Sequence, residues 1–138
     1  MKDLLEKSDG SVDCYVESAA TSDEEIVNGT GNPVYPPAQR ILAEHGISCR
    51  GKRARQLAAG DYDRFDMIIG MDQMNLRNIR RICGCDDKTY LLMDFALKHR
   101  DVADPWYTGD FEATWNDVSE GCKALLEYLK SKKRRVAE

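Results

Sequence analysis

Little in this chain suits a life outside water. Its apolar runs are a few residues long, far short of the roughly 20 that a membrane span needs. Met1-Lys2-Asp3-Leu4-Leu5-Glu6-Lys7 mixes charges with leucines and has no apolar core of a secretory leader, so a cytoplasmic location is expected. Histidine is scarce: His45 and His99 are the only two, and neither has a second ligand at chelating distance along the chain. Cys83-Gly84-Cys85 is spaced too tightly for the usual C-x₂-C chelate, so no metal is expected. The five cysteines (14, 49, 83, 85, 122) are odd in number and irregular in spacing. In a chain without an export signal they read as reduced thiols and not as a disulfide framework. Nor is there an excess of positive charge. Twenty basic residues face 24 acidic ones, a net charge of −4, which argues against nucleic acid as the main partner.

The balance of the rest is that of a folded protein, 42% hydrophobic and 32% charged. At 138 residues, one domain over residues 1–138 is expected. Residues 1–7 read as the end of a helix. Residues 11–17 alternate Val12, Cys14 and Val16 with polar positions, as a strand does. Residues 18–32, rich in Ser, Thr, Gly and Asn, predict a long loop. Pro36 and Pro37 suit the first turn of a helix over 38–45 that Gly46 ends. Residues 65–71 form a near-continuous apolar run of strand length. Asp72 can then cap a helix whose inward face is Leu76, Ile79 and Ile82. Residues 89–93 predict another strand, followed by a loop to Gly109. In the last helix, Trp115, Val118, Cys122, Leu125 and Leu129 repeat at spacings of three and four. Its basic end, residues 130–135, complements the helix dipole. Strands alternating with helices predict an α/β fold with a parallel sheet flanked by helices, and such sheets hold ligands beyond the carboxyl ends of their strands.

Several blocks resemble one family in its order. They are Glu17-Ser18-Ala19-Ala20-Thr21-Ser22, Gly31-Asn32-Pro33-Val34-Tyr35-Pro36-Pro37-Ala38, Arg53-Ala54-Arg55-Gln56-Leu57, Asp66-Met67-Ile68-Ile69-Gly70-Met71-Asp72, and Asp104-Pro105-Trp106-Tyr107 with Gly109-Asp110-Phe111-Glu112. Together they resemble the low-molecular-weight protein-tyrosine phosphatases across nearly the whole chain. The resemblance implies the family's Rossmann-like three-layer α/β architecture. It also implies that these residues start just past the first strand and the Cys-x₅-Arg phosphate loop, making a single domain truncated at its N-terminus.

The family's chemistry runs through a cysteinyl-phosphate. A thiolate attacks phosphorus, and an aspartic acid protonates the leaving phenol, then deprotonates the water that releases phosphate. By resemblance the acid is Asp104, Trp106 and Tyr107 wall the phenyl slot, and Ser18 and Asp72 support the phosphate loop. No cofactor is implied, and the partner is a phosphotyrosine protein or a small aryl phosphate. Glu24, Tyr35 and Lys52 depart from the residues many members carry, which bears on substrate preference. Cys49 and Arg55 satisfy Cys-x₅-Arg, but a phosphate loop needs a strand before it and a helix N-terminus after it. Only Gly46-Ile47-Ser48 precedes Cys49, and cations fill the intervening stretch, so this pair is set aside as nucleophile and phosphate ligand. Without a credible nucleophile the 138 residues alone are expected to be inactive. Two further readings stand beside the phosphatase: a non-catalytic family remnant that binds or regulates, and an arsenate reductase of the same fold. The oligomeric state is left open.

Overall fold

The computed structural model describes residues 1–7, 14–22, 26–27, 30–104 and 109–137. They divide into two compact units, Ser18–Leu91 and Met1–Glu17 with Leu92–Glu138.

The first unit is built on a strand–helix–strand crossover. Strand β3 (Ile68–Gly70) pairs in parallel with β4 (Thr89–Leu91), in the register Ile68 to Thr89, Ile69 to Tyr90 and Gly70 to Leu91. Between them runs α4 (Gln73–Cys83), which begins where the Asp72 carboxylate accepts a hydrogen bond from the Asn75 amide at 2.7 Å. That is the expected cap, filling one of the free N–H positions of a first turn. Of the predicted inward face, Ile79 is fully buried while Leu76 and Ile82 are partly covered. Ahead of the crossover come β1 (Ile26–Val27) and β2 (Thr30–Gly31), then α2 (Pro36–Glu44) and the short α3 (Asp61–Arg64). Pro36 and Pro37 open α2, and Gly46 follows it at φ +73°, as the sequence suggested.

The second unit is helical in its described part: α1 (Lys2–Glu6), α5 (Leu92–Phe95) and α6 (Phe111–Ala137). α6 packs on α5 and α1. Its contact with α5 is close because Gly121 faces Leu92, where an added Cβ would come within 2.5 Å of Leu92 Cγ. Leu92, Met93, Val102, Cys122, Leu125 and Leu126 form the buried core, and the Phe95 and Tyr128 rings stack tilted at 5.3 Å.

Four expectations need correction. The predicted strand over 11–17 falls partly outside the described residues, and 14–17 lie in no ladder: the first pairing of this segment is a parallel bridge from Ala20 to Gln56. Alternation alone does not supply the neighbour that a strand must bond. The loop over 18–32 contains the β1–β2 hairpin, with Val27 opposite Thr30. Asn28-Gly29 between them is a strong hairpin signal in the sequence that the reading as loop passed over. The strand over 65–71 shortens to Ile68–Gly70. The strand over 89–93 stops at Leu91, and Leu92 and Met93 turn into α5, where they are the most deeply buried side chains. Short apolar runs do not separate a strand from a buried helical turn.

Candidate active site

The sequence-predicted residues fall in both units. Asp104 belongs to the helical one. Trp106 and Tyr107 lie outside the described residues. Asp104 is exposed, and what fixes it is the residue before it. The Ala103 amide donates to Asp117 Oδ2 at 2.9 Å, and the Ala103 carbonyl accepts from Thr114 Oγ1 at 2.6 Å. Asp117 and Thr114 project from the first half of α6, so one helix holds both backbone polar groups of Ala103. Asp117 is itself clamped: Arg100 donates to both carboxylate oxygens, Nη1 to Oδ2 and Nη2 to Oδ1, each at 2.7 Å. Arg100 Nη1 also reaches the Asp101 carbonyl at 3.0 Å. A bidentate pair of this kind fixes orientation as well as charge. It holds the Asp117 carboxyl down to about 2, through the Arg100 hydrogen bonds first, against the opposing effect of burial. At the far end of the segment the Asp110 carboxylate accepts from the Ala113 amide at 3.0 Å and starts α6. The segment from Arg100 to Asp104 is thus anchored to a long helix.

Ser18 and Asp72 belong to the other unit. Ser18 is exposed, two residues before the Ala20 bridge. Asp72 follows the carboxyl end of β3 and caps α4, the bland role that sequence alone allowed it. Asn75 is the hub between these two segments. Its Oδ1 accepts from the Met71 amide at 2.9 Å, and its Nδ2 donates to Thr21 Oγ1 at 3.4 Å. Asn78 Nδ2 donates to the same hydroxyl at 3.3 Å. The loop carrying Ser18 is therefore tied to the first turns of α4 at the carboxyl end of a parallel strand, where α/β folds place ligands.

The Cys49–Arg55 pair lies between α2 and α3, so a helix and not a strand leads into it, and no helix follows until Asp61. Cys49 takes part in a turn, its carbonyl accepting from the Lys52 amide at 3.0 Å. Arg55 is held by Asp61 at 3.0 Å. β3 ends at Gly70 and runs into Met71-Asp72 without a cysteine, and Cys83 stands at the opposite end of α4. Among the described residues, no cluster of three or more His, Cys, Asp or Glu side chains could hold a metal ion, and no helix is long and apolar enough to cross a membrane.

Sequence reading missed Arg100, Thr114, Asp117, Thr21, Asn75 and Asn78. For Asp117 a signal existed. Thr114, Asp117, Gly121 and Leu125 fall at spacings of three, four and four, a row whose polar start continues into buried positions.

A family model described as "Low molecular weight phosphotyrosine protein phosphatase" matches residues 1–135. The low molecular weight protein-tyrosine-phosphatase YfkJ of Bacillus subtilis is 37% identical over 108 residues, which are 75% of this chain and 69% of that protein. Low molecular weight phosphotyrosine protein phosphatase 1 of Drosophila melanogaster is 34% identical over 134 residues, 92% of this chain and 83% of the relative. The crystal structure of YfkJ superposes with a TM-score of 0.77 at 35% identity, over 85% of this chain and 74% of that one.

Proposed function

Because this chain belongs to the low molecular weight phosphotyrosine protein phosphatases, a family of hydrolases, we propose that it serves the dephosphorylation of protein phosphotyrosine or a small aryl phosphate with Asp104 as general acid. The observation that carries this reading is the grip on Ala103. A general acid must stand within hydrogen-bond reach of the leaving oxygen at the moment the bond breaks, and a freely moving loop would spend little time there. Asp117 and Thr114 bond both backbone polar groups of Ala103, the residue before Asp104, and Arg100 locks Asp117 in turn. In this reading Trp106 and Tyr107, next along the chain, wall the phenyl ring. In the same reading Ser18 and Asp72 support the phosphate loop, and the Thr21–Asn75 bond holds their two segments together. The 138 residues act as one domain in the cytoplasm.

These residues supply the acid half of the chemistry. A cysteine nucleophile and phosphate-binding arginine in a strand–loop–helix setting are not among them, since Cys49 and Arg55 sit in a connecting segment. A second reading stands beside it, a non-catalytic protein that binds phosphotyrosine partners. One experiment separates the two. The chain is assayed on aryl phosphates as it stands, then after fusion to a strand and Cys-x₅-Arg loop of the family pattern. The phosphatase reading expects no turnover first and turnover second. In the fused protein, Asp104→Asn should lower kcat on phosphotyrosine by about 10²–10⁴, with a smaller loss for phenols that are already acidic. Equal loss across all leaving groups would remove Asp104 from the role of acid. A fused chain that binds phosphotyrosine without hydrolysing it would leave the binding reading.

A further inference from the structure

Cys83 and Cys85 flank Gly84 at the C-terminus of α4, the end remote from Asp72. Gly84 takes a left-handed conformation, φ +79°, and its amide donates to the Arg80 carbonyl at 2.8 Å. A residue in this conformation turns the chain sharply. With consecutive Cα atoms about 3.8 Å apart, a near-right-angle bend brings the flanking pair to about 5.5 Å, inside the roughly 4.4–6.8 Å that a disulfide spans. The Cys85 side chain points back along the turn, its Sγ 3.7 Å from the Cys83 carbonyl oxygen. Cys83 is partly covered and Cys85 is exposed. Burial pushes the Cys83 thiol up, and its neighbour Cys85 adds to that rise, so the two sulfurs feel one another. A Cβ at Gly84 would meet nothing within 4 Å, so that side of the turn is open.

We propose that Cys83 and Cys85 form a reversible dithiol–disulfide site that exchanges with low-molecular-weight disulfides. The exposed Cys85 thiolate attacks one sulfur of the external disulfide, forms a mixed disulfide and releases one thiolate. Cys83 then gives its proton to water and attacks Cys85 Sγ, closing the Cys83–Cys85 bond and expelling the second thiolate. Two electrons pass from the cysteine pair to the external disulfide, and the two released thiolates take up protons. The order of attack follows from exposure, because thiolate character and access decide which sulfur reacts first.

The turn feeds a junction of the fold. The Asp87 carboxylate accepts from the Tyr62 hydroxyl, and the Lys88 amide donates to that hydroxyl at 2.7 Å. The Lys88 carbonyl accepts from the Ile68 amide at 2.9 Å, the first bond of the β3–β4 pairing.

The test uses the full 138-residue chain and oxidised glutathione. Titratable thiols should fall from five to three and return with dithiothreitol. Trypsin cuts after Arg81 and Lys88, so peptide 82–88 carries both cysteines and should be lighter by the two hydrogens lost. Cys83→Ser should stop at a glutathione adduct on Cys85. Cys85→Ser should slow reaction at Cys83 by at least about tenfold. A stable adduct on Cys85 in the unaltered chain, a disulfide-linked dimer, or thiol loss centred on Cys14 or Cys49 would each overturn the proposal.

Discussion

Asp61 and Asp117 are both carboxylates taken out of water, at 3% and 7% exposure, and each accepts from an arginine and from a backbone amide. Their reach differs. Asp61 stands in the first turn of a four-residue helix, and its partners Ala58, Arg55 and Arg64 lie within six residues of it. Asp117 stands inside a helix of 27 residues, and its partners Arg100 and Ala103 are 17 and 14 residues away. The first clamp folds a local turn onto itself. The second draws a distant loop onto a rigid element, and that loop ends at the candidate acid. The same chemical unit therefore does local work in one region and long-range work in the other, because closing a longer loop removes more chain freedom per bond made.

Removing each carboxylate is the severest way to break this comparison. Asp117→Ala leaves the Ala103 amide and the Arg100 guanidinium without their acceptor, and should cost about 3 kcal/mol in urea unfolding. Hydrogen exchange should accelerate at the Ala103 amide and along the loop. Asp61→Ala should cost about 2 kcal/mol, with faster exchange confined to the turn around Ala58. Equal spread of the exchange changes would mean that sequence separation does not set the reach of a clamp.

Acid sharpens the same contrast. Both carboxyls sit below their ordinary value, Asp61 chiefly through the Ala58 amide and Asp117 through Arg100. A group whose folded-state pKa is depressed stabilises at pH above its unfolded value, near 3.9, and loses that contribution as pH falls through the folded value. For Asp117 the loss runs from about pH 4 down to about 2. Asp117→Asn should flatten the stability curve in that window while leaving the slope above pH 5 unchanged, as urea midpoints across pH 2–6 would show.

The bed on which the longer clamp rests can be tested next. Gly121→Ala places a Cβ against Leu92, whose Cγ is fixed in the core, and should cost about 1–3 kcal/mol by forcing α5 from α6. If the Asp117 clamp depends on α6 being seated, this substitution should also speed exchange at Ala103. The smallest effect is a gain. Leu97, in the turn just after α5, has φ +58° and 85% exposure, a conformation that costs an L-residue roughly 1 kcal/mol. Leu97→Gly should raise stability by up to about 1 kcal/mol in the same unfolding assay, since no buried surface is lost.

Elements with strong local signals were legible. The Pro36-Pro37 start and Gly46 end of α2, the Asp72 cap and the long C-terminal helix all appear where composition and spacing put them. The inward face of that helix was read in part: Cys122 and Leu125 are buried, Trp115, Val118 and Leu129 only partly, and Leu126 joins the core without having been predicted. Of the candidate site, Asp104 was legible only because its surroundings resemble a family. Nothing in an Asp-Pro pair by itself distinguishes an acid from a turn.

What the sequence determined by itself is what depends on neighbours a few residues apart: helix periodicity, caps, the Asn-Gly hairpin signal and the membership of a family carried by ordered blocks. Tertiary structure decided where pairing stops and what bonds across long separations. Leu92 leaves the strand for a buried turn where α6 offers it Gly121 to pack on, a partner nearly 30 residues away. Asp117 becomes an anchor and not a surface charge because Arg100 and Ala103 are brought to it. A hydrogen bond or a packing contact across such a span belongs to the folded chain, since in one dimension its two halves carry no mark of each other.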